Sequence, residues 1–146
     1  MKVNYTYVGE PLYEYCPFHA TEGASGADLR NTSGNFIEIY PMSSESIPTG
    51  ICMEIPKGFE GQLRPRSGIS VKKKLMMLPS VGTIDSDYRG EISVTYFNPT
   101  NHLVTIEPGE RVAQMIIAPY VKCEYNLKDT LSETERGSGG FGSTGK

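Results

Sequence analysis

Between Val3 and Val121 the apolar residues come in short runs that alternate with polar positions and are repeatedly interrupted by Gly or Pro. Val3/Tyr5/Tyr7, Phe36-Ile37-Ile39, Ile51/Met53/Ile55 and Phe59/Leu63 read as strands. So do residues 75–78, Ile92/Val94/Tyr96, Leu103/Val104/Ile106 and residues 112–117. Between them lie Gly23-Ala24-Ser25-Gly26, Pro48-Thr49-Gly50, Pro56-Lys57-Gly58, Asn98-Pro99 and Glu107-Pro108-Gly109. The period-two run at Ile92, Val94 and Tyr96 predicts a half-buried strand with these three on its core face. Many short strands at this spacing predict an all-β sandwich or barrel. No long stretch has helical periodicity, and no internal repeat is present. One short helix is expected over residues 66–73, after Pro65, with Ser67 in an N-cap-like position and lysines towards its end. Its start would offer backbone N–H groups to an anion; the alternative is a capped surface turn.

The strand at Ile92 is preceded by Gly82-Thr83-Ile84-Asp85-Ser86-Asp87-Tyr88-Arg89-Gly90-Glu91. Asp, Ser and Gly suit a tight reversal between strands, because the side chains bond their own backbone and Gly accepts unusual dihedrals. Taken alone, the segment fits a decorated hairpin. Its carboxylates, aromatic ring and guanidinium are more chemistry than a turn requires.

From Asn126 the chain changes character, dividing it into a barrel over residues 1–125 and an arm over 126–146. The arm is polar and then glycine-rich, Arg136-Gly137-Ser138-Gly139-Gly140-Phe141-Gly142-Ser143-Thr144-Gly145-Lys146. Such a segment has too little apolar area to order itself, yet glycines with hydroxyls can wrap N–H groups around phosphate. Residues 140–146 formally satisfy G-x-x-x-x-G-K, but a P-loop needs a preceding strand, a following Ser or Thr and a helix. None of these is in place.

Composition narrows the partners. Across 146 residues, one domain's length, the net charge is -3 and the pI about 5.4, which argues against stable nucleic-acid binding through a broad basic face. Lys72-Lys73-Lys74 reads as solvated surface. Cys16, Cys52 and Cys123 are scattered and odd in number, which points to a reducing compartment. The N-terminal residues lack a signal peptide's apolar core and no run approaches membrane-spanning length, so a soluble, cytoplasmic protein without membrane association is expected. His19 and His102 are remote from each other and offer no zinc site.

Five segments together resemble the homotrimeric dUTPase family: Gly26-Ala27-Asp28-Leu29, Pro65-Arg66-Ser67-Gly68, the 82–91 loop, Glu110-Arg111-Val112-Ala113-Gln114-Met115-Ile116, and residues 136–145. The resemblance implies a jelly-roll β-barrel of β-clip type, three subunits with sites at their interfaces, and hydrolysis of dUTP to dUMP and pyrophosphate with Mg²⁺. That reaction needs an in-line water and charge neutralisation.

The resemblance makes Asp85 the general base that orients the attacking water. Asp28 would touch the water shell of Mg²⁺, or merely cap its loop. Ser67 and the N–H groups of Ser67 and Gly68 would hold the α- or β-phosphate, with Arg66 either on phosphate or buttressing the site through ion pairs. Gln114 would bond phosphate or metal water, or satisfy a strand end. Tyr88 would pack on the deoxyribose and leave no space for a 2′-hydroxyl. The backbone at Thr83 and Ile84 would read the uracil edge, where a wrong base leaves donors unpaired. From the arm, Phe141 would cover the uracil ring, with Gly142 in the substrate site and Arg136, Ser143 and Thr144 on the γ-phosphate.

The chain departs from the family at Pro79, where many bacterial members place a uracil-contacting Asn, and mildly at Ser25 and Glu110. The rival readings are a dCTP deaminase of similar fold and a non-catalytic jelly-roll module that is structural or nucleotide-binding. A Ser-His-Asp hydrolase on Ser67 is weaker, because G-x-S-x-G is absent.

Overall fold

A computed structural model describes residues 1–10 and 13–140. Its strands are β1 (Asn4–Tyr7), β2 (Phe18–His19), β3 (Ala27–Arg30), β4 (Ile37–Ile39), β5 (Ser44–Pro48) and β6 (Ile51–Glu54). They continue as β7 (Phe59–Pro65), β8 (Met76–Leu78), β9 (Gly82–Ile84), β10 (Ser93–Phe97), β11 (Val104–Ile106) and β12 (Arg111–Pro119). Each apolar run read as a strand is one. β2, β3, β5 and β9 were not anticipated. β5 has one apolar side chain besides its terminal Pro48, and β3 spends alternate positions on Asp28 and Arg30, so neither shows the usual apolar signal.

The strands form a five-stranded sheet in the order β2-β3-β12-β7-β9, a three-stranded sheet β5-β10-β8, and the pairs β1-β6 and β4-β11. Every pairing is antiparallel. They enclose one apolar core that draws Leu29 from β3, Ile39 from β4, Ile47 from β5, Leu63 from β7, Met77 from β8, Val94 from β10 and Met115 from β12. This is the all-β architecture the alternation predicts, and it agrees with the jelly roll that the family resemblance implies. Ile92, Val94 and Tyr96 are all buried, as the period-two reading requires.

Three expectations are corrected. The helix is shorter than read, a π-helical turn over Gly68–Lys72, and Ser67 makes no capping bond with its side chain. Ser67 is already helical (φ -56, ψ -36), whereas a capping residue is normally extended so that its oxygen can reach back. The 82–91 segment is not a hairpin. β9 pairs with β7, and β10 pairs with β5 and β8, so the loop carries the chain from one sheet to another. The lysine run is not uniformly solvated either. Lys73 Nζ donates to the Thr105 carbonyl at 2.6 Å and pairs with Glu110 at 2.8 Å, tying the π-helical turn to the β11–β12 connection.

After β12 the described chain has neither helix nor strand, and Val121, Tyr125, Leu127 and Leu131 stand exposed along it.

Candidate active site

The central strands of the five-stranded sheet place most of the expected phosphate-binding residues together. Asp28 on β3 lies opposite Gln114 on β12, which lies opposite Arg64 on β7. Arg66 and Ser67 follow directly where β7 ends. The Asp28 side chain is 9% exposed, and both its oxygens are engaged: Oδ1 with Arg66 Nε at 2.8 Å and Oδ2 with Arg111 Nη1 at 3.1 Å. Two guanidinium groups on one carboxylate leave the cluster cationic, and the low exposure strengthens both contacts.

Gln114 reaches the loop as well. Its Nε2 donates to the Pro65 carbonyl at 3.1 Å, and its Oε1 lies so near Gly26 that a Cβ there would sit 2.6 Å away and push the Gln114 side chain aside. The structure thus gives Gln114 a strand-end bond as its present contact. Beyond Arg66, the first helical bonds run from Ile69 N–H and Ser70 N–H to the Arg66 carbonyl. The N–H groups of Ser67 and Gly68 precede these bonds and belong to the donors that a helix start leaves over.

A β-bulge shapes this cluster. The β3–β12 register slips between Arg111 and Ala113, so that Arg111 faces Arg30 while Ala113 faces Leu29. Val112 and Ala113, though consecutive, are both fully buried. Strict alternation would put Arg111 on the core face with Ala113; the extra residue turns it onto the face of Asp28. The buried Tyr96 hydroxyl fixes the bulge by donating to the Val112 carbonyl at 2.8 Å.

Burial pushes the Tyr96 phenol above its ordinary value, partly offset by Arg66. Replacing Tyr96 by Phe leaves the Val112 carbonyl without this partner, and should lower unfolding stability by about 1–3 kcal/mol. Because the folded phenol titrates above the unfolded one, its stabilisation is complete below about pH 10 and is lost as pH rises further. Urea melts at pH 7 and 10.5 check both: Tyr96→Phe should cost less at the higher pH.

The second group of expected residues surrounds a separate cavity of about 320 Å³, lined by Thr83, Ile84, Asp85, Tyr88, Glu91, Ile92 and Ser93. Tyr88 N–H donates to the Asp85 carbonyl at 3.1 Å and closes the turn, leaving the exposed Asp85 carboxylate beside the cavity. The Tyr88 hydroxyl donates to the Glu91 carbonyl at 3.0 Å. Its ring lies so close over Gly90 that a Cβ there would come within 2.6 Å of the ring's Cζ. Tyr88 is 45% exposed, so its ring is not part of the core. Glu91 Oε1 accepts the Gly50 N–H at 2.8 Å and anchors the far end of the loop.

One copy of the chain keeps these two groups apart. Ile84 lies opposite Gly61 on β7, whereas Arg66 follows Pro65 at the strand's other end. At about 3.3 Å per residue this offset is on the order of 15 Å, beyond hydrogen-bond reach. Arg136 belongs to neither group, its Nε donating to the Gly139 carbonyl at 2.8 Å within a turn of the tail. Phe141, Gly142, Ser143 and Thr144 lie outside the described residues.

Among the described residues, no group of three or more His, Cys, Asp or Glu side chains is placed to hold a metal ion. Asp28, its charge balanced by two arginines, suits contact with a metal's water and not direct capture of a bare cation. No helix among the described residues is long and apolar enough to cross a membrane, and all three cysteines are free.

Sequence motifs passed over three parts of this arrangement. Arg111 and Tyr96 stood in recognised runs without a role, and Gly90 was read only as a turn residue. The consecutive apolar pair Val112-Ala113 was the available signal of the bulge.

A cationic carboxylate cluster, and a cavity edged by a carboxylate and an aromatic ring, suit a nucleotide hydrolase on a β-barrel. A model of the dUTPase family matches residues 14–145. The deoxyuridine 5'-triphosphate nucleotidohydrolase of Hydrogenobaculum sp. is 50% identical over 129 residues, covering 88% of this chain and 89% of the relative. Its namesake from Chlamydia pneumoniae is 49% identical over 130 residues, covering 88% and 90%. Among solved structures, the Staphylococcus bacteriophage 80alpha dUTPase with dUPNHPP superposes with a TM-score of 0.85 at 24% identity, covering 99% of both chains. That likeness concerns the fold alone. The chain belongs to the dUTPase family.

Proposed function

We infer that this chain hydrolyses dUTP to dUMP and pyrophosphate, with Asp85 as general base, at sites completed by a second and third copy of itself. Family membership carries the reaction. The observation that favours composite sites is the separation of the Asp85 cavity from the Asp28–Arg66 cluster within one copy. In an assembly, the cavity of one subunit faces the cationic cluster of its neighbour. Thr83 and Ile84 then read the uracil edge through their backbone, and Tyr88 excludes a 2′-hydroxyl. Arg66, Ser67, Gly68 and Gln114 hold the phosphates, while Asp85 takes the proton of the attacking water. The arm of residues 126–146 brings Arg136, Phe141, Gly142, Ser143 and Thr144 over the nucleotide.

Mg²⁺ supplies charge neutralisation on the triphosphate when bound. Asp28, held by its arginines, would meet it through water. Pro79 leaves base readout to the backbone of Thr83 and Ile84. A homotrimer accounts for the exposed Val121, Tyr125, Leu127 and Leu131, which a neighbouring subunit would cover. Three free cysteines agree with a cytoplasmic enzyme, and the acidic balance with one that does not hold nucleic acid. The product dUMP feeds dTMP synthesis, and removal of dUTP limits uracil incorporation into DNA.

Pyrophosphate release from dUTP, UTP, dCTP and dTTP, with and without Mg²⁺, tests the reading. Release from dUTP alone, dependent on Mg²⁺, supports it. Ammonia from dCTP would indicate the deaminase instead, and no turnover of any nucleotide would indicate a binding or structural module.

A further inference from the structure

Arg111 is the cluster residue to which no role has been given. It touches Asp28 with its side chain, at 3.1 Å, and Arg66 with its backbone, whose carbonyl accepts from Arg66 Nη1 at 3.4 Å. Asp28 in turn holds Arg66 Nε at 2.8 Å. The three residues close a ring around the Arg66 guanidinium, two of whose nitrogens are engaged in it. The bulge exists on this same face: without it Arg111 would point into the core with Ala113 and Met115.

We propose that Arg111 is a positioning residue that fixes Asp28 so that Asp28 aims the Arg66 guanidinium at the substrate's phosphates. An Asp28 carboxylate held at one oxygen alone could rotate about χ2, where the torsion is broad and soft, and Arg66 would swing with it. Arg111 removes that rotation by taking the second oxygen. It thereby raises affinity for a polyphosphate through Arg66, without touching the nucleotide. The inference rests on the reading of Arg66 as a phosphate ligand.

The test measures binding of α,β-imido-dUTP and of dUMP to the full-length enzyme and to Arg111→Gln, Arg66→Gln, the double variant and Arg111→Lys, with melting temperature and trimer content as controls. Arg111→Gln should weaken the triphosphate analogue by about tenfold or more while dUMP shifts by less than about threefold. Arg111→Lys, which retains one cationic donor, should recover most of the loss. In the Arg66→Gln background, Arg111→Gln should add little, because the group it positions is gone.

Unchanged affinity in a folded Arg111→Gln, equal weakening of both ligands, or a loss that adds fully to that of Arg66→Gln would each overturn the proposal. Should Arg111→Gln not fold, Arg111→Met keeps the aliphatic stem and carries the same comparison. If Arg66→Gln itself leaves the analogue's affinity intact, the assignment of Arg66 to phosphate fails. If Arg66→Gln weakens it and Arg111→Gln does not, only the positioning role fails.

Discussion

Asp85→Asn should reduce dUTP turnover by about 10²–10⁴-fold, the usual worth of a positioned general base, with KM and melting temperature little changed. The geometry explains why the loss would be chemical. The turn is closed through the Asp85 backbone carbonyl, which accepts Tyr88 N–H at 3.1 Å, and Asn keeps that carbonyl. Asp85 is exposed at the cavity edge and outside the core, so the nearly isosteric amide leaves packing untouched. What Asn lacks is a lone pair basic enough to take a proton from water. Steady-state kinetics beside a thermal melt separates the two effects; full turnover by a folded Asp85→Asn enzyme would remove this carboxylate from the mechanism.

Deleting residues 136–146 should have an effect of similar size for a different reason. The barrel's core is complete without them: every buried apolar residue among those described comes before residue 119. The truncated chain should therefore fold and assemble as before. It loses Arg136, Phe141, Ser143 and Thr144, the groups assigned to the uracil face and the γ-phosphate, and with them the exclusion of water from the reacting triphosphate. A fall in kcat/KM on the order of 10²-fold or more is expected from such a loss of positioning. Size-exclusion chromatography with light scattering and a pyrophosphate assay check it, and a truncated trimer with full activity would contradict it.

The alternation at Ile92, Val94 and Tyr96 was legible because a half-buried strand has to separate its two faces, and the structure buries all three. β3 was not legible as a strand. Asp28 and Arg30 occupy its outer face, and the stability of that face comes from Arg66, Arg111 and the backbone of Gly109, far away in sequence. The same non-local origin hid the crossover at residues 82–91. Turn chemistry can specify a reversal but not which strand receives the chain afterwards, and β9 is claimed by β7. Ser67 misled in another way: its type favours capping, but its helical dihedrals set the hydroxyl elsewhere. The motif residues of the site were readable as chemistry, whereas their division into two separate groups was not, because it depends on where β7 begins and ends.

That division bears on how damage is inherited. In the proposed trimer, each chain would lend its Asp85 cavity to one neighbour and its arginine cluster to another. A lesion in either half therefore leaves the opposite half serviceable. In a cell carrying two defective alleles, one faulty at Asp85 and the other at Arg66, hybrid assemblies would still contain some intact centres, and the two defects would complement where neither allele alone suffices.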